Sequence, residues 1–358
     1  MRSSLVLAGV AGVVCLAALG HARPAEKEAA GTGLIGSRAV DVNQVTGKAY
    51  AVDQARGGIV VFDSAKGTMS NIATGAGPVA VAVDAKTNKI YVANSEAGSV
   101  SVIDGSTDKL AGNIAVGPLP YVLAVNSVSG KVFISNTFSN VVTVLDERDN
   151  TIAKLKAGSA DSIVIDEKLD RAYLLHYEDS AITILNSKPS LVGHAKTGMH
   201  LWGVAMDDGA GKLYATRSGS AELAVLDEAS GKVDTVAVGE IPCAVALVPE
   251  KNRAYVVNYG GNSLSVVDTA TRRSIATVRV GERPQAVAVD AKANLIYVAN
   301  SHSDSMTVID GGTNKILRTV AAGKNPFALA VNRANGQVYV AGFGDHSLQV
   351  IESQRASR

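Results

Sequence analysis

Cysteine is nearly absent from this chain: among 358 residues there are only Cys15 and Cys243. Cys15 lies in an apolar N-terminal run that reads as a leader, which leaves Cys243 alone in the remainder and excludes an internal disulfide. No CxxCH run is present, so covalent c-type haem is excluded as well. Aromatics are scarce at 4%, with a single tryptophan, and the formal net charge is only +1. A balance so near zero argues against an electrostatic claim on nucleic acid or an anionic membrane surface. HxH, HExxH and Cys-rich spacings are missing, so no metal site is expected, and no GxSxG elbow marks a nucleophilic serine.

Long apolar runs are missing too, apart from Leu5 to Leu19, which is short of the roughly twenty residues that span a bilayer. Arg2 precedes that run, and Ala18-Leu19-Gly20 or Gly20-His21-Ala22 follows with small residues at signal-peptidase spacing. Residues 1–22 therefore read as a secretory signal peptide, with a periplasmic or secreted product and no transmembrane segment in the mature chain.

What the chain has is glycine, short Val/Ala runs and a repeat. The phrases KAYAVD, KIYVAN, KVFISN, RAYLLH, KLYATR, RAYVVN, LIYVAN and QVYVAG place Tyr50, Tyr91, Phe133, Tyr173, Tyr214, Tyr255, Tyr297 and Tyr339 at spacings of 41, 42, 40, 41, 41, 42 and 42 residues. Seven of the ten tyrosines thus occupy one repeat position. Each unit holds four strand-like segments, A to D, as in VAVAVD, KIYVAN, SVSVID and KLAGNIAV, with turn residues between them. No unit has room for an amphipathic helix. Four short antiparallel strands per unit of about 41 residues predict an all-β fold, a β-propeller of four-stranded blades.

Eight copies of A, B and C are present but only seven of D, so eight blades are expected over residues 38–352. The last would be completed by residues 23–37, with 353–358 as a tail; seven blades with a stray unit is the alternative count. Strand A alternates small and large apolar residues, such as Ala80, Val81, Ala82 and Val83. Neither side is polar, which predicts burial of both faces. The Asp residues that end strand C, including Asp63, Asp104, Asp146, Asp227, Asp268 and Asp310, recur too regularly for catalysis and are expected to accept turn hydrogen bonds.

The phrases KIYVAN and SVSVID and the VGxxP of VGERP and VGPLP resemble the YVTN family of β-propeller repeats. The fourth unit, AYLLHYEDSAITILN, departs by lacking the proline, and the fifth reads LYATRSGSAELAVLD. The resemblance implies an exported propeller and leaves function open, since such folds host scaffolds, enzymes and cofactor carriers alike.

Strand order places the B-to-C and D-to-A loops on one face. The residue that begins strand A runs Arg38, Val79, Tyr121, Asp161, Trp202, Cys243, Gln285 and Phe327 around the units, and it varies more than any fold-maintaining position should. The B-to-C loops add His176, Tyr177, Arg217, Tyr259, His302 and His346, and His200 lies beside Trp202. These residues are the candidate contacts for an unknown protein or small-molecule partner. The leading expectation is a non-catalytic binding scaffold without a cofactor. The alternatives are a lactonase or lyase at the channel mouth, disfavoured by Asp161 being its one carboxylate, and a carrier like the modified-haem propeller of nitrite reductases. The run Ser301-His302-Ser303-Asp304 is read as a hairpin tip, because neighbours in one turn are poorly placed for a Ser-His-Asp relay.

Overall fold

Residues 39–352, except residue 138, are described by the structure, a computed structural model. The predicted leader, residues 23–37, Arg38 and the tail 353–358 lie outside the described residues. Every repeat folds as an antiparallel meander. In blade 2 the strands are Pro78–Asp84 (A), Lys89–Asn94 (B), Ser99–Asp104 (C) and Lys109–Ala115 (D), paired in that order. Seven such four-stranded sheets form, and the eighth has three strands, Pro326–Val331, Val338–Gly342 and Leu348–Ile351. The A strands of successive blades adjoin one another around the ring, and A of blade 8 adjoins A of blade 1 (Val40–Val42), so eight blades close on themselves. Among the described residues the only helical turn is the 3₁₀ segment Pro249–Lys251.

The core is distributed over the seams. Eight apolar clusters lie between consecutive blades, and each contains one repeat aromatic, from Tyr50 between blades 1 and 2 to Tyr339 between blades 8 and 1. These rings are no more than 2% exposed, and burying one aromatic is worth about 1.5–3 kcal/mol. A repeat that cannot cover its own apolar face is stabilised by its neighbour, which is why the aromatic recurs in every copy. D strands are mostly exposed, as the outermost strand of a blade must be.

The turns follow the predicted chemistry. Asp104 Oδ1 accepts the N–H of Ser106 at 2.8 Å, Asp268 Oδ1 that of Thr271 at 2.8 Å, and Asp310 Oδ1 those of Gly312 and Thr313 at 3.0 and 2.7 Å. The Asp or Asn ending strand A does the same, as with Asp84 and Lys86 N–H at 2.9 Å.

Strand A corrects one expectation. In blades 2 and 3 it is buried almost throughout, but in blades 5 to 7 most of its positions, and in blade 8 half of them, are partly exposed. Innermost strands arranged around an axis line a central channel, so an apolar strand need not be covered on both faces.

Candidate functional site

The predicted shared face is assembled by a repeated backbone bond. In blades 2, 3 and 5 to 8 the first residue of the B-to-C loop donates its N–H to the residue just before strand A of the same blade. Examples are Ser95 to Gly77 O at 2.7 Å, Ser218 to His200 O at 2.9 Å, Tyr259 to Ile241 O at 2.9 Å, and Ser301 to Arg283 O at 3.1 Å. The accepting residues Gly77, Leu119, His200, Ile241, Arg283 and Asn325 all have positive φ, between 47° and 63°. Five of the six are not glycine, and for β-branched Ile241 this conformation is a genuine strain. Sequence reasoning passed over Leu119, Ile241, Arg283 and Asn325; the legible signal was a varied residue directly before the proline.

Local geometry sets how the varied ring residues are presented. The residue after the proline sits on a β-bulge: Pro120 pairs with Asn136 and Val122 with Ser135, so Tyr121 is the extra residue inserted in its strand. Val79, Cys243, Gln285 and Phe327 occupy equivalent bulges, and in blade 5 both Trp202 and Gly203 are bulged. A bulge turns its extra side chain out of the regular alternation, so the ring is aimed by backbone geometry. The wide bulge of blade 5 needs its glycine, because a Cβ at Gly203 would lie 2.6 Å from Cys243 O and Ala244 Cα of the next blade.

Blade 4 is one residue shorter and has no bulge here. Ser162 pairs directly with Leu175, and Asp161 N–H donates to Leu175 O at 2.8 Å. The carbonyl that receives the loop N–H elsewhere is missing, and Asp161 Oδ2 takes its place, accepting Tyr177 N–H at 2.8 Å. Ser162 Oγ donates to Trp202 O at 2.9 Å, tying blade 5 to this turn. Tyr177 meets Trp202 edge-on, centroids 5.8 Å apart at 88°, and packs on His200 at 5.0 Å. Asp161, Tyr177, His200 and Trp202 are all partly exposed and form one contiguous group. Burial raises the Asp161 pKa above the ordinary carboxylate value, against the Tyr177 hydrogen bond and His176, with Glu178 and Asp179 adding to the rise. The buried Tyr121 phenol is pushed up, first by burial and then by Asp161.

The remaining candidates are dispersed. Arg283 stacks its guanidinium over Tyr259 at 4.9 Å, the same relation between neighbouring blades that His200 has to Tyr177. Phe327, Phe343 and His346 make a second aromatic group in blade 8, at 6.1 and 6.3 Å. Gln285 is partly exposed. Cys243 is 5% exposed, with Sγ 3.5 Å from Pro284 O.

Arg217 proves to be the last residue of its B strand and His176 the residue directly after its own, Arg171–Leu175; neither is a loop tip, and both stand where other blades have the Asn of YVAN. Asn258 shows what that position does: its Nδ2 donates to Ser263 and Ser265 Oγ at 3.0 and 2.9 Å, and its Oδ1 accepts Gly239 N–H at 3.1 Å. His176, 3% exposed, repeats the clamp with Nδ1 on Ser159 O at 3.1 Å and Nε2 on Thr183 Oγ1 at 3.0 Å. Arg217 is committed to Glu222 at 2.6 Å. His302 is exposed, 3.1 Å from Ser301 Oγ, whereas Asp304 accepts Asn325 N–H at 2.8 Å and pairs with Lys324 at 2.9 Å. No relay joins the three.

On the opposite side of the blade 4 to 5 seam, a recess of about 530 Å³ is lined by Arg171, Tyr173, His194 and Glu228 among others. The Tyr173 hydroxyl donates to Glu228. Burial, followed by neighbouring Asp166, raises the Glu228 pKa to about 7. Among the described residues no three His, Cys, Asp or Glu side chains are grouped so as to hold a metal ion, and no helix is long and apolar enough to cross a membrane.

Fold and loop face together define an eight-bladed β-propeller with a specialised mouth. Among solved structures the chain is similar to dihydro-heme d1 dehydrogenase NirN in complex with DHE, at 12% identity and TM-score 0.70, covering 87% of this chain and 74% of that one. It is similar also to Kuenenia stuttgartiensis hydrazine synthase, at 18% identity and TM-score 0.62, covering 78% and 96%. A functionally unknown protein from Desulfotomaculum acetoxidans matches at 16% identity and TM-score 0.60, covering 74% and 92%. At these identities the likeness is one of fold. No family model and no curated protein matches the chain.

Proposed function

We propose that this chain is an exported, non-catalytic propeller of YVTN type that binds a partner or small molecule at its mouth, chiefly over blades 4 and 5. The observation that carries this reading is the contiguous group of Asp161, Tyr177, His200 and Trp202, built where blade 4 has lost a residue and blade 5 carries a double bulge. A position that maintained the fold would repeat from blade to blade; these four do not. The N-terminal leader pattern supports export, and the repeat phrases support the family.

The test is native mass spectrometry of the full chain purified gently from the envelope fraction of its own host, beside the double variant Tyr177→Ala/Trp202→Ala. A bound mass lost in the variant, with the circular dichroism unchanged, is the expected result. A bound mass retained by the folded variant would overturn the reading. A tetrapyrrole carrier predicts instead a visible absorption band in the same preparation.

A further inference from the structure

Asp161 carries a charge that its surroundings do not balance. Among the described residues it forms no ion pair. The carboxylates that act on it are Glu178 and Asp179, both opposing its ionisation, and the titratable neighbour that favours it is His176. The imidazole of His176 already engages Ser159 O and Thr183 Oγ1. One oxygen of Asp161 holds Tyr177 N–H; the carboxylate stays half-buried in negative surroundings.

Around that carboxylate stand rings. Tyr177 is fixed to it through its own N–H, Trp202 is tied through its carbonyl to the adjacent Ser162 and packs at right angles to Tyr177, and Tyr121 lies close enough for Asp161 to oppose its ionisation. Aromatic faces attract cations, most strongly those of tryptophan, and the attraction grows where water is displaced. A hard divalent ion needs six or more oxygen ligands, which one carboxylate among rings does not offer. An alkylammonium group needs a single counter-charge and π faces.

We propose that Asp161, Tyr177 and Trp202 form a site for a small organic cation of the alkylammonium class. This assignment rests on the mouth being a binding surface and adds the chemistry of what binds. Blade 4 gives up the backbone carbonyl used in other blades and substitutes a carboxylate, so the clamp on the loop and the charge for a ligand come from one side chain.

The chain has one tryptophan, so emission from Trp202 reports on this site directly. We would titrate the leaderless protein with choline, with sodium chloride at equal ionic strength, and with the neutral isostere in which carbon replaces the choline nitrogen. The expected result is a saturable change with choline and binding at least about tenfold weaker for the isostere. Asp161→Asn should lose at least about tenfold in choline affinity, equivalent to ~1.4 kcal/mol, because the amide oxygen can still accept Tyr177 N–H while the charge is gone. Equal binding of the isostere, an unchanged Asp161→Asn titration, or no saturable response to choline would overturn the assignment. If Asp161→Asn does not fold, calorimetry on Tyr177→Leu decides in its place: retained choline affinity overturns the assignment, and a loss of several-fold supports it. Failure with choline alongside a bound native mass that depends on Tyr177 and Trp202 would leave the mouth reading standing and remove only the cation.

Discussion

The repeat tyrosine shows how one residue type acquires different energetics at equivalent sites. Its ring is always in a seam, but its hydroxyl meets whatever residue follows strand C of the next blade. Glu147 accepts the hydroxyl of Tyr91 at 2.8 Å, and Glu228 accepts that of Tyr173. Where that residue is glycine, at Gly105 and Gly311, the hydroxyls of Tyr50 and Tyr255 have no hydrogen-bond partner among the described residues. Tyr91→Phe should therefore cost about 1–3 kcal/mol in urea unfolding, whereas Tyr255→Phe should be neutral or stabilising. Glu228 makes a second prediction. Asp166 Oδ2 and Glu228 Oε2 both lack a donor and are neighbours, so one proton satisfies both. A carboxyl with its pKa raised from 4.5 to about 7 binds more protons in the folded state than in the unfolded one. Folding stability should fall as pH rises from about 4.5 to about 7 and level off above. Melting temperature against pH checks this, and Glu228→Gln should flatten that part of the profile.

Among elements, the bulged A strand and the last residue of strand B do most to shape the mouth. Gly203→Ala would push a Cβ against backbone of blade 6, which nothing flexible can relieve. It should lower stability by about 1–3 kcal/mol and shift Trp202 emission, with the circular dichroism otherwise preserved. Asn258→Ala should cost about 1–3 kcal/mol by taking the donor from two serine hydroxyls and leaving the Gly239 amide only Ser265 Oγ, 3.2 Å away, of its two acceptors; amide exchange at Gly239 would speed up. Strands, turns and the shared loop face were legible because alternation, Asx turns and an antiparallel meander each leave a local mark. The bulges were not, since two residues opposing one is a property of pairing. His176 and Arg217 looked like specialised loop residues because imidazole and guanidinium suggest chemistry. Lining up the residue three after each repeat aromatic would have placed them with Asn94, Asn136, Asn258 and Asn300, where the position serves to clamp a loop. Asp161 was legible as the one carboxylate of the mouth ring, but its exchange for a backbone carbonyl depends on a deletion that only the register reveals.

At the scale of the whole molecule, closure depends on contacts between the two ends of the described chain. Gln44 Nε2 donates to Val331 O at 2.9 Å, Gln44 Oε1 accepts Arg333 N–H at 2.9 Å, Asn332 Nδ2 donates to Gly47 O at 3.3 Å, and Phe62 packs on Tyr339 at 5.7 Å. Asn332→Ala should cost about 1–3 kcal/mol, and exchange at the blade 8 to 1 seam should rise before exchange elsewhere. The eighth sheet has three strands among the described residues, and the expectation that residues 23–37 supply the fourth is tested by deleting them. A lower melting temperature with new exchange over Leu348–Ile351 would support it; no change would refute it. The residue missing from blade 4 has a consequence for the ring as an object. Eight near-equivalent units have no natural starting point, and a visitor could settle at any of eight rotations about the axis. One short unit beside one unit with a widened bulge works as a key on a dial: it gives the ring a zero mark, so whatever docks on this face meets a single orientation.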